Sequence, residues 1–369
     1  MDAIKVLKDL VAYPSVTPQE CGIFAYIKEI LHDFTALEFH KNEVKNIFLY
    51  KKMGDFTQTH LCFAGHIDVV PSGEGWESEP FIPLEKDGKI YGRGTQDMKG
   101  GVSAFVCAIR EFCDSKNFDG ILSVLLTSDE EGEAIFGTKY VLEQLKAQNL
   151  LPQYAIVAEP TSVKDFGDMI KIGRRGSING KLEILGKQGH VAYPSKCVNP
   201  VELIAPILSK IAGFDMDSGT ESFEPSKIVI TDIRGGMEVV NVTPNHLKIM
   251  FNIRNSTQTN LQDLQGHFKE ILKDIPHNIS FKQSSFPFLT DKNSVIVKKV
   301  SNAIKAIKGI KCNLSTSGGT SDARYFAQYG VSVVECGVCN DSIHAINEAV
   351  KINEINDLKE MFKEVLKSF

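Results

Sequence analysis

"HLCFAGHID", residues 60–68, is a short apolar run that ends in a histidine and an aspartate. Three further runs share its form: "ILSVLLTSDEE" (121–131), "YAIVAEP" (154–160) and "VSVVECG" (331–337). Each is aliphatic, too short for a core helix and closed by polar residues, which is how a buried strand reads. Helix-patterned stretches lie between and after them, notably "MKGGVSAFVCAIREFC" (98–113), "GTKYVLEQLKAQN" (137–149) and the closing "NEINDLKEMFKEVLKSF" (353–369). Strand and helix in alternation predict an α/β fold with a mixed, mostly parallel central sheet flanked by helices.

The middle of the chain has another rhythm. Alternating strand patterns, "INGKLEILGKQ" (178–188) and "HLKIMFNIR" (246–254), are interleaved with two helical patterns, "NPVELIAPILSKIAGF" (199–214) and "LQDLQGHFKEILKDI" (261–275). Two strand–helix–strand units predict an inserted α+β, ferredoxin-like domain. The expected organisation is residues 1–175 and 291–369 in one domain and 176–290 in the insert.

At 369 residues the chain suits two domains, and 43% apolar with 24% charged residues is ordinary for a globular protein. A net charge of −5 with dispersed Lys and Arg gives no basic patch for nucleic acid. The opening "MDAIKVLKDLVAYPSVTP" reads as an amphipathic helix, neither leader nor membrane span, and no apolar run reaches about 18 residues. The expectation is a cytoplasmic protein with reduced thiols and no membrane partner. "CGVC" (336–339) has the spacing of a redox or zinc pair but no second Cys pair nearby.

The strand ends carry the chemistry. His66 and Asp68 follow the first run, Glu130 and Glu131 the second and Glu159 the third, while His344 lies just past the fourth. Asp97, in "GRGTQDMKGG", stands at the mouth of the helix beginning near Met98. Ligands of open α/β sheets bind beyond the carboxyl ends of the strands, so one site can collect all of these. Each residue singly has a plain structural role: a hydrogen-bonded histidine, an acidic helix start, a helix cap, a strand end. Their coincidence at four strand ends favours a site of two imidazoles and several carboxylates, suited to a pair of zinc or similar divalent ions bridged by one carboxylate. Adjacent carboxylates at 129–131 repel one another, so either something positive offsets that repulsion or one of them takes up a proton.

"GHIDVVPSG", "YGRGTQDMKGG", "TSDEEGEAIFGT", "VAEPT", "GKQGHVAYP" and "GGTSDARYF" resemble the co-catalytic zinc peptidase and deacylase superfamily, in matching order from residue 10 to beyond His344. The resemblance implies a zinc-aminopeptidase-like catalytic domain, two Zn²⁺ per subunit with Co²⁺ or Mn²⁺ as substitutes, and an acylated amino-acid substrate. It implies that His66 and Glu159 hold one zinc, Glu131 and His344 the other, and that Asp97 bridges them. Glu130 would be the general base and Asp68 would orient His66. His190, in the inserted dimerisation or lid domain, would reach the active site of the partner in a homodimer. Arg174, Arg175, Ser177, Tyr193, Asn241, Arg254, Gly319 and Thr320 match substrate-contacting positions, with the arginines suited to carboxylates. "TQD" departs from the superfamily pattern, and Thr95 and Gln96 are expected only to flank Asp97. Two rival readings stand beside this: the same chemistry on the substrate of a related deacylase or peptidase, and a metal-dependent binding protein, which has no use for an unligated Glu130.

Overall fold

The computed structural model describes residues 1–54, 59–115 and 118–369. Two compact units emerge: Met1–Gly173, Thr290–Ser315 and Ser321–Phe369 in the first, Arg174–Leu289 and Thr316–Thr320 in the second. Besides the long insert, the short Thr316–Thr320 segment therefore belongs with the second unit.

The first unit is built on an eight-stranded sheet. Across it the strands run Thr35–Lys41, Val44–Met53, Gly120–Thr127, His60–His66, Tyr154–Val157, Ser332–Glu335, Met169–Lys171 and Asn313–Ser315. The four central strands are mutually parallel, and the first two pair antiparallel. Every residue of His60–His66 is buried, as parallel strands covered on both faces require. The long helices Lys99–Ser115 and Ile352–Ser368 pack together, and Phe63, Phe105 and Phe362 interlock, with ring centroids 5.3 to 6.4 Å apart. Ala3–Val11 joins these helices, its first turn held by the Asp2 carboxylate, which accepts the Ile4 N–H at 2.9 Å.

Register places the chemistry. His66 pairs with Thr127, Ala64 with Val157, and Val157 with Glu335, so the four strands end within two residues of one another. The residues that follow them share one end of the sheet.

The second unit is a four-stranded antiparallel sheet in the order Ile228–Gly235, His246–Ile253, Ser177–Leu185, His277–Ser285. With helices Pro200–Ile204 and Leu261–Ile271 it has the strand–helix–strand–strand–helix–strand arrangement of a ferredoxin-like fold. Alternate residues of each strand face a core of Ile178, Leu182, Ile249, Leu264 and Phe268, with Phe251 stacked on Phe268 at 4.8 Å. The helix expected over 199–214 is shorter. Pro200–Ile204 is α-helical and Ala205–Lys210 is a 3₁₀ turn, because Pro206 has no N–H to return to Glu202. Among the described residues no helix is long and apolar enough to cross a membrane.

Candidate metal centre

Small residues let the strand ends and the Lys99–Ser115 helix close on one another. A Cβ on Gly101 would stand 2.4 Å from the Ala158 carbonyl oxygen, and one on Gly337 would stand 2.3 Å from that of Glu159. Neither contact is possible for a side chain, so both glycines are needed to clasp the main chain that carries Glu159.

Between these elements lies a cluster of His66, Asp97 and Glu131, with donor atoms within 4.8 Å of one another. His66 is buried, and its Nδ1 sits 2.9 Å from the main-chain carbonyl oxygen of Asp68. A carbonyl only accepts, so Nδ1 bears the proton and Nε2 presents its lone pair to the cluster. That Nε2 lies 3.1 Å from Asp97 Oδ1. The other Asp97 oxygen, Oδ2, lies 3.2 Å from His344 Nε2, which is also 2.9 Å from Glu131 Oε1. The two oxygens of one carboxylate thus face two different imidazoles.

Charge must be supplied from somewhere. Burial alone would lower the His66 pKa, yet the bond and charge of Asp97, with Glu130 and Asp68 behind it, raise it well above its ordinary value. Hydrogen bonds that His344 donates to Asp97 and Glu131 lift its half-exposed imidazole to about 10. Burial would raise the Asp97 pKa, but the two imidazoles hold it far below the usual carboxylate range. The carboxylates around both imidazoles thus favour added positive charge at the cluster. Nitrogen and carboxylate oxygen donors already converge there, so the donor set fits a divalent metal.

The three consecutive acids have separate tasks. Asp129 accepts the N–H groups of Ala134, Ile135 and Phe136 at 3.3, 3.1 and 2.9 Å and so shapes the loop. Glu131 joins the cluster. Burial, reinforced by Glu159, Asp322 and Glu131, pushes the Glu130 carboxyl well above its ordinary value, against the pull of His66.

Asp68 differs in detail from the sequence expectation. Its carboxylate, 3.7 Å from His66 Nδ1, is beyond hydrogen-bond reach, and its backbone carbonyl holds the ring instead. The carboxylate accepts the Glu131 N–H at 3.1 Å and lies 3.4 Å from the Glu130 N, orienting the loop that carries both acids. Burial raises it to about 6, opposed by His66, Thr17 and those two N–H groups.

Several residues near the cluster were not singled out by sequence. Buried Glu348 accepts the main-chain N–H groups of Gly94, Gln96 and Asp97 at 2.9, 2.8 and 3.1 Å, and pairs with Arg93 at 2.9 Å. Arg93 also donates to the carbonyl of Ala345, next to His344, at 3.1 Å. Gln96 is buried and bonds Asp341 and Ser342, so it does more than flank Asp97. Asp322 is buried and among the charges that raise Glu130. It was visible as the acid of "GGTSDARYF". Cys336 and Cys339 are buried thiols outside the metal-type cluster, and burial pushes Cys339 up to about 12.

The remaining expected site residues lie on the second unit. His190, exposed, accepts the Ala192 N–H on Nδ1 at 3.1 Å, which leaves Nε2–H as its outward donor. Its ring centroid is 5.9 Å from that of exposed Tyr193, and the carbonyl of Asn241 accepts the Val191 N–H at 3.1 Å. Arg174 donates to the Ser317 carbonyl at 2.9 Å, two residues before Gly319 and three before Thr320. Arg175 pairs with Glu224 at 3.0 Å, and buried Ser177 accepts from Asn252 at 3.0 Å. Arg254 is exposed, with no ion-pair partner among the described residues.

A mostly parallel α/β sheet with convergent His and carboxylate donors at its carboxyl edge defines a metal-dependent hydrolase. The chain belongs to peptidase family M20/M25/M40, whose model matches residues 62–368. It is 57% identical over 369 residues to the succinyl-diaminopimelate desuccinylase of a Nitratiruptor species, covering 100% of both chains. The protein of that name from Wolinella succinogenes is 57% identical over 363 residues, 98% of each. Among solved structures, aminopeptidase PepT from Bacillus cereus aligns with TM-score 0.81 at 20% identity, covering 99% of this chain and 97% of that one. The Bacillus subtilis YXEP protein, described as a dinuclear metal binding peptidase of the M20 family, aligns with TM-score 0.71 at 14% identity over 99% and 96%.

Proposed function

We propose that this protein is a two-metal amide hydrolase that cleaves N-succinyl-LL-2,6-diaminopimelate to succinate and LL-2,6-diaminopimelate, a step toward diaminopimelate and lysine. The observation that carries the metal reading is Asp97, whose two oxygens address two imidazoles from opposite sides. The desuccinylase reading is supported by the full-length likeness to proteins of that name.

His66 and Glu159 would hold one cation and Glu131 and His344 the other, with Asp97 shared between them; zinc would suit this donor set, with cobalt or manganese as substitutes. When bound, the pair supplies Lewis acidity that makes water acidic enough to attack at neutral pH. Glu130, neighbour of a ligand and lifted by burial toward the working pH, takes the attacking water's proton. It then delivers that proton to the amide nitrogen as the C–N bond breaks, so water is consumed and one carboxylate and one amine leave. Asp68 fixes the Glu130–Glu131 backbone and, through its carbonyl, the His66 tautomer. Nε2–H of His190 is the donor to the carbonyl oxygen as negative charge builds there. It serves the centre of the partner subunit in a homodimer. Arg174 and Arg254 take substrate carboxylates, assisted by Arg175, Ser177, Tyr193, Asn241, Gly319 and Thr320. The protein works in the cytoplasm.

Purified zinc-loaded protein incubated with N-succinyl-diaminopimelate and, separately, with N-acetylated amino acids and dipeptides tests this. Succinate release far faster than acetate or amino-acid release is expected. Preference for an acetylated substrate or a dipeptide would transfer the chemistry to a related deacylase or peptidase.

A further inference from the structure

Gln96, one residue before Asp97, is almost fully buried, and its side-chain amide is used at both ends. Its Oε1 lies 2.9 Å from both the main-chain N–H and the hydroxyl of Ser342, and its Nε2 donates to Asp341 Oδ1 at 2.6 Å. These two residues begin the loop that carries His344. The far side of that loop is held from the same segment, by Arg93 on the Ala345 carbonyl. Residues 93–97 therefore supply the bridging carboxylate and grip the His344 loop fore and aft.

The two halves of the centre are built differently. His66 ends a buried strand, and Glu159 follows another between two glycines. His344 sits on a loop, with a half-exposed side chain and a left-handed backbone, φ 58°. That conformation is costly for a residue with a Cβ and persists only where its surroundings enforce it. The amide of Gln96 is one such restraint, and it needs both an acceptor and a donor end.

We infer that Gln96 is a positioning residue for the second metal position, the one formed by Glu131 and His344: by clamping Asp341 and Ser342 it sets the affinity for that cation and leaves the position of His66 and Glu159 unaffected. This rests on the two-cation reading of the site.

The test is titration of metal-free full-length protein with Co²⁺, followed by calorimetry and by visible d–d absorption. Wild type is expected to bind two cations in separable steps. Gln96→Leu, similar in size but unable to hydrogen-bond, should weaken the second step by roughly 10- to 100-fold and leave the first within about twofold, the range typical of groups that orient ligands. Gln96→Glu keeps an acceptor for Ser342 but sets a like charge against Asp341, so it should also lose the second step. Gln96→Glu combined with Asp341→Asn exchanges donor and acceptor across the same contact and should recover most of the loss; this rescue separates positioning from general damage to the fold. The inference is overturned if Gln96→Leu binds both cations as wild type does, if both steps weaken together, or if the exchanged pair fails to rescue. A wild-type protein that binds a single cation would instead remove the two-cation reading on which it stands.

Discussion

Replacing Glu348 by glutamine tests how the metal cluster is supported. The two carboxylate oxygens accept four donors: Oε2 takes Arg93 and the Gly94 N–H, Oε1 takes the N–H groups of Gln96 and Asp97. Burial raises this carboxyl above its ordinary value, and the N–H groups of Gly94, Gln96 and Asp97, with Arg93, oppose that rise. An amide of the same shape must turn an NH₂ toward one of these donor pairs. Two buried N–H groups then lose their acceptor, at about 1–3 kcal/mol each. The Arg93 guanidinium, 2% exposed, also loses its counter-charge. Carbonyls of Ser72 and Ala345 still receive it at 3.1 Å, so the loss falls toward the lower end of the ~3–5 kcal/mol seen for broken buried pairs. These contributions overlap, and a net loss of about 4 kcal/mol is expected. That is a large part of the ~5–15 kcal/mol that holds a typical protein folded. Urea unfolding followed by circular dichroism measures it, with Glu38→Gln as the control. Glu38 pairs with Lys28 on the surface, where about 0–1 kcal/mol is at stake. If Glu348→Gln unfolds within about 1 kcal/mol of wild type, the support assigned to this residue is wrong.

Three further outcomes are expected. Glu130→Gln should retain both metal ions and lower kcat by about 10²–10⁴-fold, as metal analysis and steady-state kinetics on one preparation would show; near-normal turnover would remove the assigned base. Phe362→Ala, which empties the space against Phe63 and Phe105, should cost about 3–5 kcal/mol in urea unfolding, and a loss below about 1 kcal/mol would mean that the helix–sheet contact is misdescribed. Glu111 supplies a pH dependence remote from the metal. Burial opposes its ionisation, but Lys363, the terminal amine and Lys359 lower its pKa from 4.5 to about 2. A depressed acid stabilises the fold above its unfolded pKa and loses that contribution as pH falls through the folded value. The stability gap between wild type and Glu111→Gln, about 2–3 kcal/mol at neutral pH after a discount for solvent screening, should therefore close between pH 4.5 and about 2. A gap that does not change with pH would refute it.

The strands and their polar ends were legible because burial on both faces writes an unbroken apolar run that stops where chemistry or solvent begins. His66, Asp97 and Glu131 are brought together: parallel register sets His66 and Glu131 at one sheet edge as a matter of counting, and Asp97 comes to them from the start of a helix. The supports were not legible. Glu348 meets residues more than 250 positions away through main-chain N–H groups, and the Gln96 side chain donates to Asp341 and accepts from Ser342 across a similarly long stretch of chain. Contacts between loops distant in sequence follow no period, so nothing in the local pattern marks them. Asp68 shows the same limit at short range: the family resemblance implied that it orients His66, whereas the backbone supplied the contact and the carboxylate turned to the next strand's loop. Pro206 was readable in advance as a break in the 199–214 helix, and the apolar periodicity around it concealed that break.

Diffraction from zinc-grown crystals, recorded on both sides of the zinc absorption edge, bears most directly on the centre. Two anomalous peaks about 3.5–4 Å apart are expected, one beside His66 and Glu159, the other beside Glu131 and His344, with one Asp97 oxygen directed at each. A lone peak, or two peaks that Asp97 does not join, would contradict a bridged metal pair.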